Sequence, residues 1–180
     1  MLQLICNPET PAVTVESVEV WTERLENGRL WFRFHIEGQL DALELDEPRP
    51  PERTDGLWKS TCFEAFLRKD GDNSYLEYNF APSGLWAAYA FTDYRSGGID
   101  LGVEATPEIL LDASEGHFAV ETEIILPADW RIGSVELNLT AVIEEADGTK
   151  SYWALAHLPG KPDFHHRDCF ALKLEAPRAP

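Results

Sequence analysis

Ser60-Thr61-Cys62-Phe63-Glu64-Ala65-Phe66-Leu67-Arg68, Tyr75-Leu76-Glu77-Tyr78-Asn79-Phe80-Ala81 and Leu85-Trp86-Ala87-Ala88-Tyr89-Ala90-Phe91-Thr92 are three runs whose reading decides the fold. Each alternates at period two, the spacing of a strand, in which successive side chains point to opposite sides. In the first run Phe63, Ala65 and Leu67 share one side, with Cys62, Glu64, Phe66 and Arg68 on the other. The second separates Leu76, Tyr78 and Phe80 from Tyr75, Glu77 and Asn79, and the third separates Leu85, Ala87, Tyr89 and Phe91 from Trp86, Ala88, Ala90 and Thr92. The first-named sides are almost wholly apolar and are expected to form one buried face. Turns centred on Gly71-Asp72 and on Pro82-Ser83 would pair the runs antiparallel. Glu64 would then face Asn79, Glu77 would lie between Phe66 and Ala88, and Trp86 would sit beside Asn79. Two carboxylates, an amide and an indole above small alanines make a surface suited to a small polar ligand. The competing reading is a solvated outer face on which Arg68 pairs with a carboxylate and Trp86 packs under a loop.

Working outward, residues 13–24 form a strand candidate with an irregularity at Glu16-Ser17, where the phase of Val13 and Val15 gives way to that of Val18 and Val20. A bulge does this. Asn27-Gly28 supplies a hairpin turn before residues 29–37, where Leu30, Phe32, Phe34 and Ile36 alternate with Trp31, Arg33, His35 and Glu37. Residues 38–59 are a charged connection containing Pro48, Pro50 and Pro51, and a loop of that length in a folded domain is more often functional than idle. Further strand candidates lie at residues 109–112, 117–126, 134–145, 150–157 and 168–174, with one helical turn at residues 127–131. About ten short strands with almost no helical periodicity indicate an all-β fold, an antiparallel two-sheet β-sandwich of immunoglobulin-like or jelly-roll-like architecture.

The 180 residues are expected to form a single domain, residues 1–180, able to bury roughly 70 % of the surface of the unfolded chain. Cys6, Cys62 and Cys169 are too few and too scattered for a disulfide framework. The N-terminal residues lack the basic and apolar regions of a signal peptide, and no segment approaches the ~18 apolar residues of a membrane span, so a cytoplasmic location is expected. Lys and Arg number 15 against 32 Asp and Glu, a formal charge of −17. A chain this acidic lacks the cationic footprint that phosphate binding requires, so nucleic acid is not an expected partner, and without an apolar span neither is a membrane.

Metal and cofactor chemistry finds little support in the residue pattern. Asp70-Gly71-Asp72-Asn73-Ser74 departs from a calcium loop, with Tyr75 where glycine is needed and Ala81 where glutamate is needed, and reads as a hairpin turn. His165 and His166 are adjacent, so in an extended segment they point apart, and no zinc is expected. Residues 161–168 read instead as a polar loop or the rim of a cup. Paired carboxylates raise glycoside hydrolysis, which needs an acid and a base or nucleophile ~5–9 Å apart, and Glu64 and Glu77 on neighbouring strands could meet that spacing. Spacing alone does not make a catalyst.

The run from Trp58 to Arg68, followed by Tyr75-Leu76-Glu77-Tyr78-Asn79-Phe80-Ala81-Pro82-Ser83-Gly84-Leu85-Trp86, resembles bacterial DOMON-like proteins related to family 9 carbohydrate-binding modules. Residues 152–157 and 161–166 resemble the closing part of the same group. The resemblance implies a β-sandwich that holds sugars or haem on its concave sheet. In the sugar-binding modules, aromatic rings clamp a terminal sugar while acidic and amide side chains bond its hydroxyls. It therefore implies Trp58 as a stacking ring and Glu64, Glu77 and Asn79 as hydroxyl partners. Haem sandwiches of this type use a methionine ligand opposite His or Lys, whereas the sole methionine here is Met1, so no cofactor is expected.

The expected protein is a non-catalytic binder of a small polar ligand, with a carbohydrate as the leading class, held by Trp58, Glu64, Glu77, Asn79 and Trp86 on the concave face of the sandwich. A protein-interaction module is the alternative, with a haem redox domain and a glycoside hydrolase behind it.

Overall fold

A computed structural model describes residues 1–114 and 117–176. Its strands in chain order are β1 (Leu2–Gln3), β2 (Ile5–Cys6), β3 (Val15–Arg24), β4 (Arg29–Gly38), β5 (Cys62–Lys69), β6 (Tyr75–Phe80), β7 (Trp86–Phe91), β8 (Ile99–Asp100), β9 (Ile109–Ser114), β10 (His117–Ile125), β11 (Val135–Glu144), β12 (Lys150–Ala154) and β13 (Leu172–Leu174). They form two antiparallel sheets, ordered β1-β3-β4-β10-β9 and β2-β12-β11-β5-β6-β7-β8, with β13 paired to the start of β11. The two-sheet sandwich is thus the one the alternation implies. All ten strand candidates contain a strand, and the two-residue β1, β2 and β8 are too short to leave a periodic signal. Residues 155–157 and 168–171 fall outside strands, and Arg167–Cys169 is a turn of 3₁₀ helix.

Local chemistry sets the hairpins. Asn27 and Gly28 both take positive φ, 60° and 75°, in the β3–β4 turn, a conformation these residue types tolerate best. The irregularity in β3 is a register shift between Val15 and Ser17. Ala128–Trp130 is the helical turn expected after β10.

The core lies between the sheets. Phe63, Ala65 and Leu67 of β5 and Leu76, Tyr78 and Phe80 of β6 are all buried there, as the alternation requires. They meet Leu30, Phe32, Phe34 and Ile36 of β4 and Phe118 and Val120 of β10. Phe63 is central, its ring centroid 5.0 Å from Phe34 and 6.3 Å from Phe118.

The two outer faces differ. That of the five-stranded sheet carries half-exposed Trp31, Arg33 and His35. That of the longer sheet is covered, so that β5 and β6 are buried on both sides over most of their length. Two loops cover it: residues 38–59 from one side and the segment between β12 and β13 from the other.

Candidate functional site

Under these two loops, the outer face of the longer sheet holds a cavity of about 380 Å³, near the lower end of the ~300–1,000 Å³ span of small-molecule pockets. Its floor is Glu64 and Phe66 of β5, Glu77 of β6 and Val142 of β11. Tyr89 and Phe91 of β7 form one wall with Trp58, and Tyr152 of β12 forms the other with Pro162, Phe164 and His165. Arg95, after β7, stands at the rim.

The β5–β6 register matches expectation: Glu64 faces Asn79 and Phe66 faces Glu77 across a turn containing Gly71 at φ 78°. Trp58, Glu64 and Glu77 therefore share the cavity. Asn79 is wholly buried beside it, its Nδ2 donating to Glu77 Oε1 at 2.8 Å, so it supports a carboxyl group and does not line the space.

Trp86 is a correction. It packs in the core between the sheets with Ala88, on the face opposite the cavity, and Ala90 packs against the same core. The cause is the turn between β6 and β7. Pro82, Ser83 and Gly84 form a three-residue loop, with Gly84 at φ 94°, closed by Ala81 N–H donating to Leu85 C=O at 2.9 Å. Phe80 consequently faces Trp86 and Glu77 faces Tyr89, one residue away from the register of a two-residue turn. A slip of one exchanges the faces of a strand. Tyr89 and Phe91, expected in the core, thus line the cavity, and Leu85 and Ala87 pack beneath the other loop with Leu57 and Cys62. At Gly84 a Cβ would come 2.7 Å from the carbonyl oxygen of Arg49, so glycine there fixes both the turn and the approach of the long loop.

That loop is tied to β7 by Thr54 N–H donating to the Trp86 carbonyl at 2.8 Å and by Tyr89 Oη donating to Asp55 at 2.6 Å. Trp58, 43 % exposed, lies edge-on to Tyr89 with ring centroids 6.2 Å apart. The segment before β13 is anchored by Asn138 Nδ2 donating to the Phe164 carbonyl at 3.0 Å. Arg95 Nη2 bonds Asp163 at 2.9 Å and joins the two sides of the cavity.

His165 inserts among Phe66, Tyr75 and Phe91. The Tyr75 hydroxyl accepts the backbone N–H of Arg95 at 3.2 Å and shares a second hydrogen bond with His165 Nδ1, 2.8 Å away. The other ring nitrogen, Nε2, faces Glu77 Oε2 at 3.9 Å. Burial, reinforced by the charge of Arg95, lowers the His165 pKa to about 4, so the ring is neutral near pH 7.

The two carboxyl groups are held unusually. Glu64 is 2 % exposed and Glu77 4 % exposed. Thr140 Oγ1 donates to Glu64 Oε2 at 3.0 Å. Loss of water and then the nearby Glu77 charge push the Glu64 pKa well above the carboxylate range, while burial raises that of Glu77 to about 7, against the opposing Asn79 bond. Neither has a lysine or arginine nitrogen within 4 Å among the described residues. In chemical terms the site offers hydrogen-bonding carboxyls under a ring of aromatic faces. Among the described residues no group of three or more potential metal ligands converges.

Sequence reading missed most of the walls. Phe66 stood on the correct side but looked like an isolated apolar residue. Tyr152 and Val142 enter through β12 and β11, whose pairing with β5 joins residues distant in sequence. The Pro162-Asp163-Phe164-His165 cluster gave the only signal for the far wall.

No protein-family model matches the chain, and no curated protein matches it. Solved structures do. A candidate carbohydrate-binding protein from Bacteroides uniformis superposes with a TM-score of 0.71 at 13 % identity, over 98 % of this chain and 84 % of the other. A family 9 carbohydrate-binding module from Caldicellulosiruptor kristjanssonii, in complex with glucose, gives a TM-score of 0.56 at 9 % identity, covering 95 % and 81 % of the two chains. A complex of such a module from that organism with cellotriose gives 0.53 at 9 % identity, covering 84 % and 70 %. At these identities the likeness is one of fold.

Proposed function

We propose that the chain is a non-catalytic binding protein whose ligand is a small polyhydroxylated molecule, a sugar or sugar-like compound, held in the cavity between Trp58 and His165. The observation that carries the reading is the combination of buried, partly unsatisfied carboxyl groups with aromatic walls in one recess of about 380 Å³. Sugars present C–H faces that stack on rings and hydroxyls that bond directional acceptors, so a site for them needs both kinds of group on a rigid sheet. The fold adds support, since the structures it matches include modules bound to glucose and to cellotriose. The finer kinship with DOMON-like proteins rests on the motifs at residues 58–68 and 75–86 and belongs to the same proposal.

The recessed rings favour a small molecule over a docked protein, because a protein partner needs an exposed apolar surface. Hydrolysis needs one carboxyl group to act as base or nucleophile while the other protonates the leaving oxygen. Burial instead biases both Glu64 and Glu77 toward the protonated form.

A sugar screen read by tryptophan fluorescence tests the proposal. A binder is expected in the micromolar to millimolar range, about −8 to −4 kcal/mol, since each hydroxyl exchanges water for protein at a modest net gain. Trp58→Ala should weaken binding at least tenfold while circular dichroism stays that of the parent. If Trp58→Ala and Glu77→Gln both bind the screened ligand as tightly as the parent does, the site is wrongly placed.

A further inference from the structure

Taking the sugar reading as its premise, the geometry points to a ligand that bears an ammonium group, an amino sugar rather than a neutral one, with its nitrogen seated between Glu64 and Glu77. Three independent features carry this.

The first is the unsatisfied valence of the acids. Thr140 engages one oxygen of Glu64 and Asn79 one oxygen of Glu77. Among the described residues no side chain or backbone group hydrogen-bonds Glu64 Oε1, and Glu77 Oε2 has only the His165 nitrogen at 3.9 Å, beyond hydrogen-bond reach, so both oxygens are left to what enters the cavity. Both side chains are more than nine-tenths buried and both line the cavity. The second oxygen of each acid is thus free to bond a ligand donor in place of water.

The second is that, among the described residues, no lysine or arginine nitrogen lies within 4 Å of either acid. Arg95 lines the cavity and its charge favours the ionised form of Glu77, but its guanidinium is bound to Asp163 at 2.9 Å, and Arg68 is bound to Glu136 at 2.6 Å. His165 is neutral near pH 7 and brings no charge. A neutral sugar would meet the acids in the protonated form that burial favours, whereas an ammonium group would favour loss of a proton from at least one of them and pair with the charge that forms. An ammonium group supplies both the donors and the charge.

The third is the wall. Tyr89, Phe91, Phe66, Tyr152 and Trp58 surround the two acids with ring faces and edges, and an organic cation is attracted to aromatic faces by their quadrupole. Glu64 and Glu77 occupy diagonal positions on adjacent strands, a backbone separation of ~7–8 Å that lets side chains converge on one nitrogen.

The test is calorimetric titration of the parent and of the Glu64→Gln/Glu77→Gln double variant with three ligands of one shape: the methyl glycosides of glucose, glucosamine and N-acetylglucosamine. Tetramethylammonium serves as a sugar-free cation. The parent is expected to bind the glucosamine glycoside at least tenfold more tightly than either neutral glycoside, and the double variant, weakened toward the glycosides, to bind the glucosamine glycoside no more tightly than the glucose glycoside. If all three bind the parent within twofold of one another, the ammonium inference falls and the sugar reading stands. If the glycosides fail but tetramethylammonium binds the parent and not the double variant, the cation site stands and the sugar reading falls. Retention of the tenfold preference in the double variant overturns the assignment to these acids, and no binding by any probe overturns both readings.

Discussion

The outer faces of the two sheets both carry glutamates, and they treat them in opposite ways. On the five-stranded sheet Glu123 pairs with Arg29 at 2.8 Å, and Glu121 pairs with Arg33 at 3.1 Å while accepting Trp31 Nε1 at 2.8 Å. These acids keep about a third of their side-chain surface in water. On the eight-stranded sheet Glu64 and Glu77 have lost nearly all water and have no lysine or arginine partner within the described residues. Paired, half-hydrated charge makes a soluble surface. Acid dehydrated beneath aromatic rings carries a desolvation cost, which a ligand of the proposed kind would offset. The chain's charge of −17 alone would not separate the two cases.

The comparison can be broken first at its tryptophans. Trp86 is 7 % exposed and faces the sandwich core, whereas Trp58 is 43 % exposed and faces the cavity. Trp86→Ala should therefore cost about 3–5 kcal/mol through the cavity it leaves. Trp58→Ala should cost less than about 1 kcal/mol, its loss appearing in ligand binding. Urea unfolding of both variants decides this. Equal losses of stability would mean that the outer recess is as much core as the interior, and its reading as a ligand site would lose its basis.

Those two residues also mark where the sequence was legible. The alternation in β5 and β6 reports face membership directly, and the Gly71-Asp72 turn reports their register, so Glu64 and Glu77 could be placed together from sequence. The turn before β7 could not be read this way. Pro82-Ser83 suggests a two-residue turn, but Gly84 can adopt positive φ and lengthens it to three. Since β7 is buried on both faces at Trp86, Ala87 and Ala88, its apolar pattern does not reveal the inversion. Tyr89 and Trp86 thereby exchanged roles. The far wall was illegible for another reason. Phe164 and His165 reach the site from a loop whose anchor, Asn138, is 26 residues earlier in the chain, and no local pattern encodes that contact.

The second test uses pH. Glu77 protonates at about 7 in the folded protein against 4.5 as its ordinary value. As pH rises through this window the unfolded chain loses its proton first, so the Glu77 contribution to stability is greatest below pH ~4.5 and declines by about 3 kcal/mol up to pH ~7. His165 works in the opposite sense. Its pKa is lowered from 6.5 to about 4, so the unfolded chain binds the proton first as pH falls, and stability rises by about 3 kcal/mol from pH ~4 to ~6.5. In the parent these two slopes oppose each other between pH 4.5 and 6.5, and Glu64, whose pKa is also raised, acts in the same sense as Glu77. Glu77→Gln should leave the His165 slope, making the variant gain stability relative to the parent as pH rises. His165→Gln should leave the Glu77 slope, making that variant lose it. Chemical denaturation across pH 4–7.5 measures both differences, and parallel curves for parent and variants would contradict the dry, unpaired setting of the site.

The smallest expected effect belongs to the hydrated face. Arg29 and Glu123 lie on adjacent strands at directly usable distance, but their side chains are 49 % and 34 % exposed. Attraction across water-rich surroundings is weak, and ordering two long side chains opposes it, so a double-mutant cycle with Arg29→Ala and Glu123→Gln should give a coupling of about 0.2–1 kcal/mol. Added salt should reduce it further, because mobile ions reach exposed charges. A coupling above about 2 kcal/mol, insensitive to salt, would place this pair in a setting as dry as that of Glu64 and Glu77. The two faces would then no longer differ in how they treat charge, and the unpaired acids of the cavity would need some explanation other than a ligand.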